Sequence, residues 1–440
     1  MPQHKTKRSS ALLPTTLFSL TVALPVYADM TKEIEDALNF YHYGNNGAVK
    51  ADINYRWENV NQDKGPLIPG TKQYVDTANA NTVRVRLGLL SPTVYDFQGY
   101  AEYQGLYAVQ DDYNQAVLVQ NKNYSVIQDP QRDELDQLWL SYKGIADTMV
   151  KFGRQRIKLD DDRFVGNVGW RQLEQTYDAV SVTHNNQTIF GLTVYAAYLG
   201  HMQDPLGQNA KLSAPMINLN YKIPDWGNLI AYGYWLDFQD FANYSKSSQT
   251  LGLRFDGKSP QFYDTVNFLY TAEWGTQSSY ASNPNHYQAD RINLMGGLSA
   301  FDFSLQGAVE QLDGYGVNKT FNTPLGTNHA FQGWADVIKN PVALNGTAPT
   351  AANIALGRGI RDVFATASYK MMNDTLIFTG MYHDFYDDTG SVRFGSEWDF
   401  SVLKKFGKHY SVLAKFADFN TGNAAFTDTQ KIWLQGNVSF

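Results

Sequence analysis

The sequence predicts an all-β protein: a single transmembrane antiparallel β-barrel of about 18 strands, with 16 as the alternative count, porin-like in architecture. Three observations carry that expectation. Apolar and polar residues alternate with a period of two along most of the chain. The connections between the alternating stretches are short and long by turns. After the first 28 residues no apolar run approaches the length of a spanning helix, so membrane residence has to come from strands.

The chain of 440 residues opens with His4, Lys5, Lys7 and Arg8, then an apolar stretch from Ala11 to Val26, then Tyr27, Ala28 and the acidic Asp29. That order is a secretory signal peptide cleaved after Ala28, and the interruption by Pro14, Thr15 and Thr16 speaks against a retained anchor. Residues 1–28 are read as leader and 29–440 as one barrel domain with a long loop at 314–360. Removing Lys5, Lys7 and Arg8 with no acid leaves 33 of the 36 basic residues against 43 acidic ones, a balance of −10. Nucleic acid is not an expected partner, because phosphate neutralisation needs a basic face. There is no cysteine, hence no disulfide framework and no thiolate chemistry. Heavy use of Tyr, Phe and Trp suits interfacial girdles around a wet interior, although a secreted soluble β-protein shares that composition.

Strands are expected near 48–60, 80–91, 95–110, 132–143, 148–158, 174–184, 188–199, 214–223, 228–239, 248–257, 263–275, 287–299, 302–313, 361–371, 374–386, 391–403, 408–419 and 429–440. In the first, Val49, Ala51, Ile53, Tyr55 and Trp57 face one way while Lys50, Asp52, Asn54, Arg56 and Glu58 face the other. A sandwich would bury the apolar set, whereas a pore turns it to lipid and the charges to water. Connection lengths favour the pore. Short ones fall at 91–94, 144–147, 185–187, 224–227 and 372–373, and long ones at 111–131, 159–173, 200–213, 276–286 and 314–360. Both ends then lie on the short-turn, periplasmic side, and the last strand, in which Ile432, Leu434, Gly436, Val438 and Phe440 share a face, pairs with the first.

Two segments stand apart. Residues 151–172 concentrate Arg154, Arg156, Arg163 and Arg171 around Asp160-Asp161-Asp162. Strict alternation from Val150 and Phe152 sends Arg154 and Arg156 toward lipid, which is costly; either a bulge at Gly153 re-aims the strand or this portion lies beyond the hydrocarbon, and the bulge is the expectation, with both arginines in the lumen. The aspartate run lacks the alternating ligands and glycine of a calcium loop and reads as a solvated turn paired with arginine. The second segment, 320–336, lies in the longest connection and carries Phe321, Phe331 and Trp334, which a fold into the lumen would bury; an external cap is the plainer alternative.

The stretches GRQRIKLDDDRFVGNVGWRQLEQTYDAVSV and FNTPLGTNHAFQGWAD resemble signature stretches of the alginate export family of outer-membrane proteins, and the resemblance runs more loosely through TVRVRLGL and the terminal strands. It implies an 18-stranded monomeric barrel in the outer membrane of a Gram-negative cell, placed there by the barrel assembly machinery among lipid and lipopolysaccharide. It also implies passive passage of solute, with an arginine-lined constriction in the exporters of anionic polysaccharide, and a terminal aromatic that serves as part of the insertion signal. Matched by position, it makes Arg154, Arg156, Arg163 and Arg171 lumen or loop cations, joined by Arg84 and Arg86 through TVRVRLGL. Arg56 joins this pore set from the first strand, and Asn328, His329, Trp334 and Asp336 are assigned to positioning the long loop. The family also holds members outside alginate biosynthesis, so the cargo is not identified by it.

The expected function is a passive, charge-selective channel for small or oligomeric hydrophilic solutes, with export of an anionic exopolysaccharide such as alginate as the alternative. Lumen arginines facing carboxylates create a transverse field and bind carboxylates weakly and repeatedly. The structural reading is that Arg56, Arg84, Arg86 and Arg154 simply neutralise Asp52, Glu58 and Glu102. No enzyme activity, metal or cofactor is expected. A hydrolase would need a base and an orienting group, and His42, His184, His201, His286, His329, His383 and His409 are scattered without triad spacing. His383 and Asp384, as strand neighbours, face opposite sides.

Overall fold

The computed structural model describes residues 47–62, 74–117, 121–186, 191–262, 265–339 and 350–440; the expected leader at 1–28 lies outside the described residues. The strands are β1 (Ala48–Gln62), β2 (Ala78–Leu90), β3 (Phe97–Asp112), β4 (Arg132–Ile145), β5 (Thr148–Gln155), β6 (Thr176–Asn186), β7 (Leu192–Gln203), β8 (Asn209–Ile223) and β9 (Gly227–Phe238). They continue as β10 (Ser248–Lys258), β11 (Val266–Ser279), β12 (Gln288–Ala300), β13 (Phe303–Leu312), β14 (Ile360–Met371), β15 (Leu376–Tyr386), β16 (Arg393–Phe406), β17 (Tyr410–Thr421) and β18 (Thr429–Ser439). Each pairs antiparallel with its sequence neighbours, and β18 closes on β1 in register from Asp52 with Ser439 to Gln62 with Thr429. Phe440 completes the seam: its N–H donates to Ala51 O at 2.8 Å and its carbonyl accepts from Ala51 N at 3.0 Å. Closure leaves no free edge, which a lipid environment requires of any sheet.

The polarity is inside out. Val49, Ile53, Tyr55, Leu87, Leu89, Phe268 and Trp274 are exposed on the outer face, while Asp52, Arg56, Glu58, Arg84 and Arg86 are buried on the inner one. An apolar belt running round the whole barrel far exceeds the patches a water-soluble monomer presents, so its solvent is the acyl chain. Connections alternate as expected, with one difference. β7 and β8 run on to Gln203 and back to Asn209, which shortens the connection expected at 200–213 to 204–208.

The interior is not simply wet. β5 is the shortest strand, and after Gln155 the chain leaves the wall and enters the barrel. Residues 320–336 enter as well, and the two meet inside. Val165 and Leu325 form a parallel bridge, Gly166 N donates to Leu325 O at 3.0 Å, and Thr327 N donates to Asp162 O at 2.9 Å. Phe164 lies edge-on to Phe321 and tilted against Tyr232, with centroids 5.9 and 4.9 Å apart. Phe321, Phe331 and Trp334 are all buried, so the lumen fold, not the external cap, describes 320–336.

The expected bulge at Gly153 is corrected. The register shift lies in β4, where Asp136 is the extra residue opposite Glu102 and Tyr103. Gly153 has φ +118°, and a Cβ there would sit 2.3 Å from Leu138 O, so the backbones of β4 and β5 approach as only glycine allows. Alternation nevertheless continues through it. Replacing Gly153 by alanine is expected to cost about 1–3 kcal/mol; it should lower the temperature at which the folded barrel loses its fast electrophoretic mobility, and an unchanged midpoint would refute this reading.

Candidate pore-lining site

Each interior arginine arrives by a strand position or an inserted segment, and each meets carboxylates there. On β2, Arg84 pairs with Asp52 of β1 at 2.6 Å and donates to Gln172 O at 3.2 Å. Arg56 donates to Gln435 at 2.7 and 3.0 Å, lies 3.8 Å from Asp129, and stacks its guanidinium 4.3 Å above Trp170. Arg171 joins the same region, 3.1 Å from Asp336, 3.4 Å from Glu58 and 3.7 Å from Asp129.

A second cluster forms where the inserted chain passes β3 and β4. Arg156 donates to Glu174 at 2.7 Å and lies 3.6 Å from Glu102 and 3.9 Å from Asp136. Arg86 lies 3.7 Å from Glu174 and Lys50 lies 3.5 Å from Glu102. Ligand oxygens of Glu102, Asp136 and Glu174 come within 4.8 Å of one another, a spacing that suits a divalent cation. Three protein cations already balance these three carboxylates, so the group reads as a salt-bridge junction.

The third cluster contains two arginines that sequence reasoning missed. Arg163 pairs with Glu310 at 2.9 Å, Arg291 reaches Glu310 and Glu273 at 2.8 Å each, and Arg254 reaches Glu273 at 3.0 Å, Asp256 at 3.2 Å, and Asp161. All three guanidiniums are buried. Arg254 and Arg291 occupy polar positions of alternating strands, the same signal that marks Arg84 and Arg86. Asp161 and Asp162 are buried, so the solvated turn expected at 160–162 is corrected to an ion-paired turn facing Arg254 and Lys158.

Arg154 does not join them. It pairs across strands with Leu138 and Asp178, and Leu138 is exposed on the outer face, so Arg154 points outward. Its guanidinium is held there by Asp178, at 2.8 and 3.1 Å, and by Gln203. Partnering on the neighbouring strand offsets the cost that would otherwise force the residue inward.

The long segment is held by a compact lock. Imidazole His329 stacks on Trp170 with centroids 4.2 Å apart and planes 2° from parallel. Its Nδ1 lies 3.2 Å from both carboxylate oxygens of Asp336, and its Nε2 lies 2.7 Å from Lys415 Nζ on β17. Burial and the Lys415 ammonium hold His329 well below the usual imidazole range, with Asp336 opposing them. The neutral ring therefore donates from Nδ1 to Asp336 and accepts from Lys415 at Nε2. The same ammonium lies 3.7 Å from the Trp334 ring and 4.1 Å from Trp170. Backbone N–H groups of Trp334 and Ala335 donate to Asp399 at 3.3 Å and Glu397 at 2.6 Å on β16. Asn328 acts through its carbonyl, which accepts from Phe331 N at 2.9 Å.

Two His–Asp pairs thus exist that sequence spacing did not reveal, since His383 also meets Asp362 of β14 at 2.9 Å. Both second nitrogens face charges: Lys415 for His329, and Asp399 at 3.7 Å for His383. In both pairs the imidazole links charged groups of different elements.

Residues 97–290 match the model of the alginate export family. That stretch contains the inserted segment 156–175, whereas TVRVRLGL and 320–336 lie outside it. No protein of curated function matches the sequence. Among solved structures, Acinetobacter baumannii OccAB3 superimposes with a TM-score of 0.66 at 15% identity, covering 90% of this chain and 99% of its own. Pseudomonas aeruginosa OpdK, solved with vanillate, gives 0.64 at 10% identity over 89% and 99%. Pseudomonas aeruginosa OccK9 (OpdG) gives 0.64 at 13% identity over 90% and 98%. The fold is that of the 18-stranded porin barrels.

An imidazole whose pKa folding lowers contributes stability that is present above its free value of 6.5 and is lost as pH falls below it. Protection factors at the Trp170 and Trp334 amides, corrected for the intrinsic pH dependence of exchange, should fall between pH 7 and pH 5, and His329→Gln should flatten that dependence. Equal pH dependence in the variant would show that another group titrates.

Proposed function

We propose that this chain, which carries an alginate export family region at 97–290, is a passive outer-membrane channel for charge-selective diffusion of small or oligomeric hydrophilic solutes. The observation that carries the reading is the inverted polarity: an apolar outer belt around an interior whose arginines and carboxylates face one another from opposite wall strands and inserted segments. Such rows produce a transverse field and a succession of weak carboxylate contacts, which favour passage over retention. Arg56, Arg84, Arg86, Arg156, Arg163 and Arg171 are the pore candidates. His329, Trp334 and Asp336 position the long segment, and Asn328 supports its turn. Arg154, on the outer face, leaves the solute-facing set. Delivery by a cleaved leader at 1–28, insertion by the barrel assembly machinery, a lipid and lipopolysaccharide surround, a monomeric state and the lack of enzymatic activity complete the proposal.

Export of an anionic exopolysaccharide is the second reading, and the family match over 97–290 favours it. Both readings share one barrel and one set of cations and differ in cargo and direction.

Purified protein in planar bilayers should give discrete conductance steps; no channel together with ester or peptide hydrolysis would sink the pore reading. Replacing Arg156 by glutamine should lower anion-over-cation permeability by about twofold or more, while Arg154→Gln should leave the reversal potential unchanged. An equal effect of the two would contradict the placement of the pair.

A further inference from the structure

On the inner wall of β15, the His383 imidazole stacks on Phe364 and Phe385, with ring centroids 5.0 and 5.4 Å apart and planes within 20° and 10° of parallel. The two rings fix its plane. Asp362 of β14 fixes its rotation, meeting Nδ1 at 2.9 and 3.0 Å. Glu397 of β16 is the register partner of His383, and Asp399 follows two residues later on the same face. Both carboxylates are tied by one oxygen to the long inserted segment: Glu397 Oε1 accepts from Ala335 N at 2.6 Å, and the Asp399 Oδ2 atom accepts from Trp334 N at 3.3 Å.

Each of these three side chains therefore has one end anchored and one ligand atom left over. His383 Nε2, Glu397 Oε2 and Asp399 Oδ1 find no hydrogen-bond partner among the described residues, although none of the three residues is more than 2% exposed. Buried polar atoms are ordinarily satisfied. His383 Nε2 stands 3.7 Å from the Asp399 carboxylate. That is too long for a hydrogen bond, and it is near the spacing of about 3.3 Å that two ligands of one tetrahedral ion take when each lies about 2.0–2.1 Å from it. Glu397 completes the set by rotation about its side-chain torsions. Gly333 leaves its free oxygen room, since a Cβ there would sit 2.4 Å from Glu397 Oε2.

Charge points the same way. Asp362, Glu397 and Asp399 bring three negative charges; Glu310 nearby is taken up by Arg163 and Arg291, and the cation facing Asp399 is Lys415 of β17. The balance is the double charge that a divalent ion supplies. In this the group differs from Glu102, Asp136 and Glu174, which three protein cations already balance. We propose that His383, Glu397 and Asp399 form a binding site for a divalent transition-metal ion, zinc above all, with Asp362 orienting the imidazole from behind and a fourth position left to water. An imidazole ligand selects against calcium and magnesium, which take oxygen. Because the same two carboxylates hold the Trp334 and Ala335 amides, the bound ion ties the long segment to the wall.

The test is metal analysis of the untagged full-length barrel, folded in detergent with Zn²⁺ in slight excess and then dialysed against a weak chelator. The barrel should retain a single zinc that excess Ca²⁺ or Mg²⁺ does not displace, and should unfold at a higher temperature than the stripped protein. With Cu²⁺ in its place, the electron paramagnetic resonance spectrum should show coupling to a single nitrogen. His383→Gln should abolish both the coupling and the retained zinc, while His201→Gln, at an exposed histidine, should change neither. Asp362→Asn should weaken zinc about tenfold or more. Asp399→Asn keeps an acceptor for Trp334 and should also release zinc; it decides the matter if the His383 variant lacks the heat-modifiable mobility of a folded barrel. A folded barrel that retains no zinc would overturn the proposal and leave Glu397 and Asp399 as carboxylates sharing a proton. Zinc retained equally by the wild type and the folded His383 or Asp399 variants would overturn it as well. Neither readout uses conductance, so the outcome is separate from that of the channel reading.

Discussion

The interior depends on one contact: the Lys415 ammonium of β17, held between the Trp170 and Trp334 rings and against His329 Nε2. Trp170 belongs to the segment that follows β5, and His329 and Trp334 belong to the segment between β13 and β14. A single wall residue therefore joins both insertions. Removing its charge would leave His329 Nε2 without this donor and the Trp334 ring without this cation, while Trp170 would keep Arg56 and Asp336 would keep Arg171 and Lys431. The lock explains why two long polar segments settle inside a barrel instead of standing above it. Their buried aromatics supply area, and the wall supplies a partner for each charge they bring.

Charge placement follows from the same economy. The sheet puts alternate side chains inside, and on β1, β2, β10, β12 and β13 those positions hold Asp52, Arg84, Arg254, Arg291 and Glu310. The inserted segments add Arg156, Arg163, Arg171 and Glu174, which pair with the wall residues Glu102, Glu310, Glu58 and Arg86. Because these pairs are buried, losing one partner would strand the other at a cost of several kcal/mol. Each of these residues is therefore bound into the scaffold, and a substitution among them loosens it.

Much of this was legible in the sequence. Each of the 18 expected strands has its counterpart, because alternation and turn parity are local signals that survive without tertiary information. The continuations His201-Met202-Gln203 and Asn209-Ala210-Lys211 were not legible as strand, since they lie past the apolar belt and a register shift between Leu199 and His201 separates them from it. Arg154 was misplaced because the cost of charge in lipid was weighed without Asp178, a neighbour that only register supplies. Arg254 and Arg291 sit on the same alternation as Arg84, but each is a single arginine in its strand, without the local density of 151–172. The lock itself could not be read, since 86 positions separate His329 from Lys415 and nothing local joins them.

The central claim is that the two inserted segments are interlocked within the barrel, and the parallel bridge between Val165 and Leu325 is its most direct test. The chain contains no cysteine, so Val165→Cys with Leu325→Cys introduces one defined pair of thiols. The account predicts that mild oxidation of the folded barrel closes this disulfide nearly completely, leaving its electrophoretic mobility and thermal midpoint intact. Two thiols that stay reduced and open to an alkylating reagent in the folded protein would contradict it.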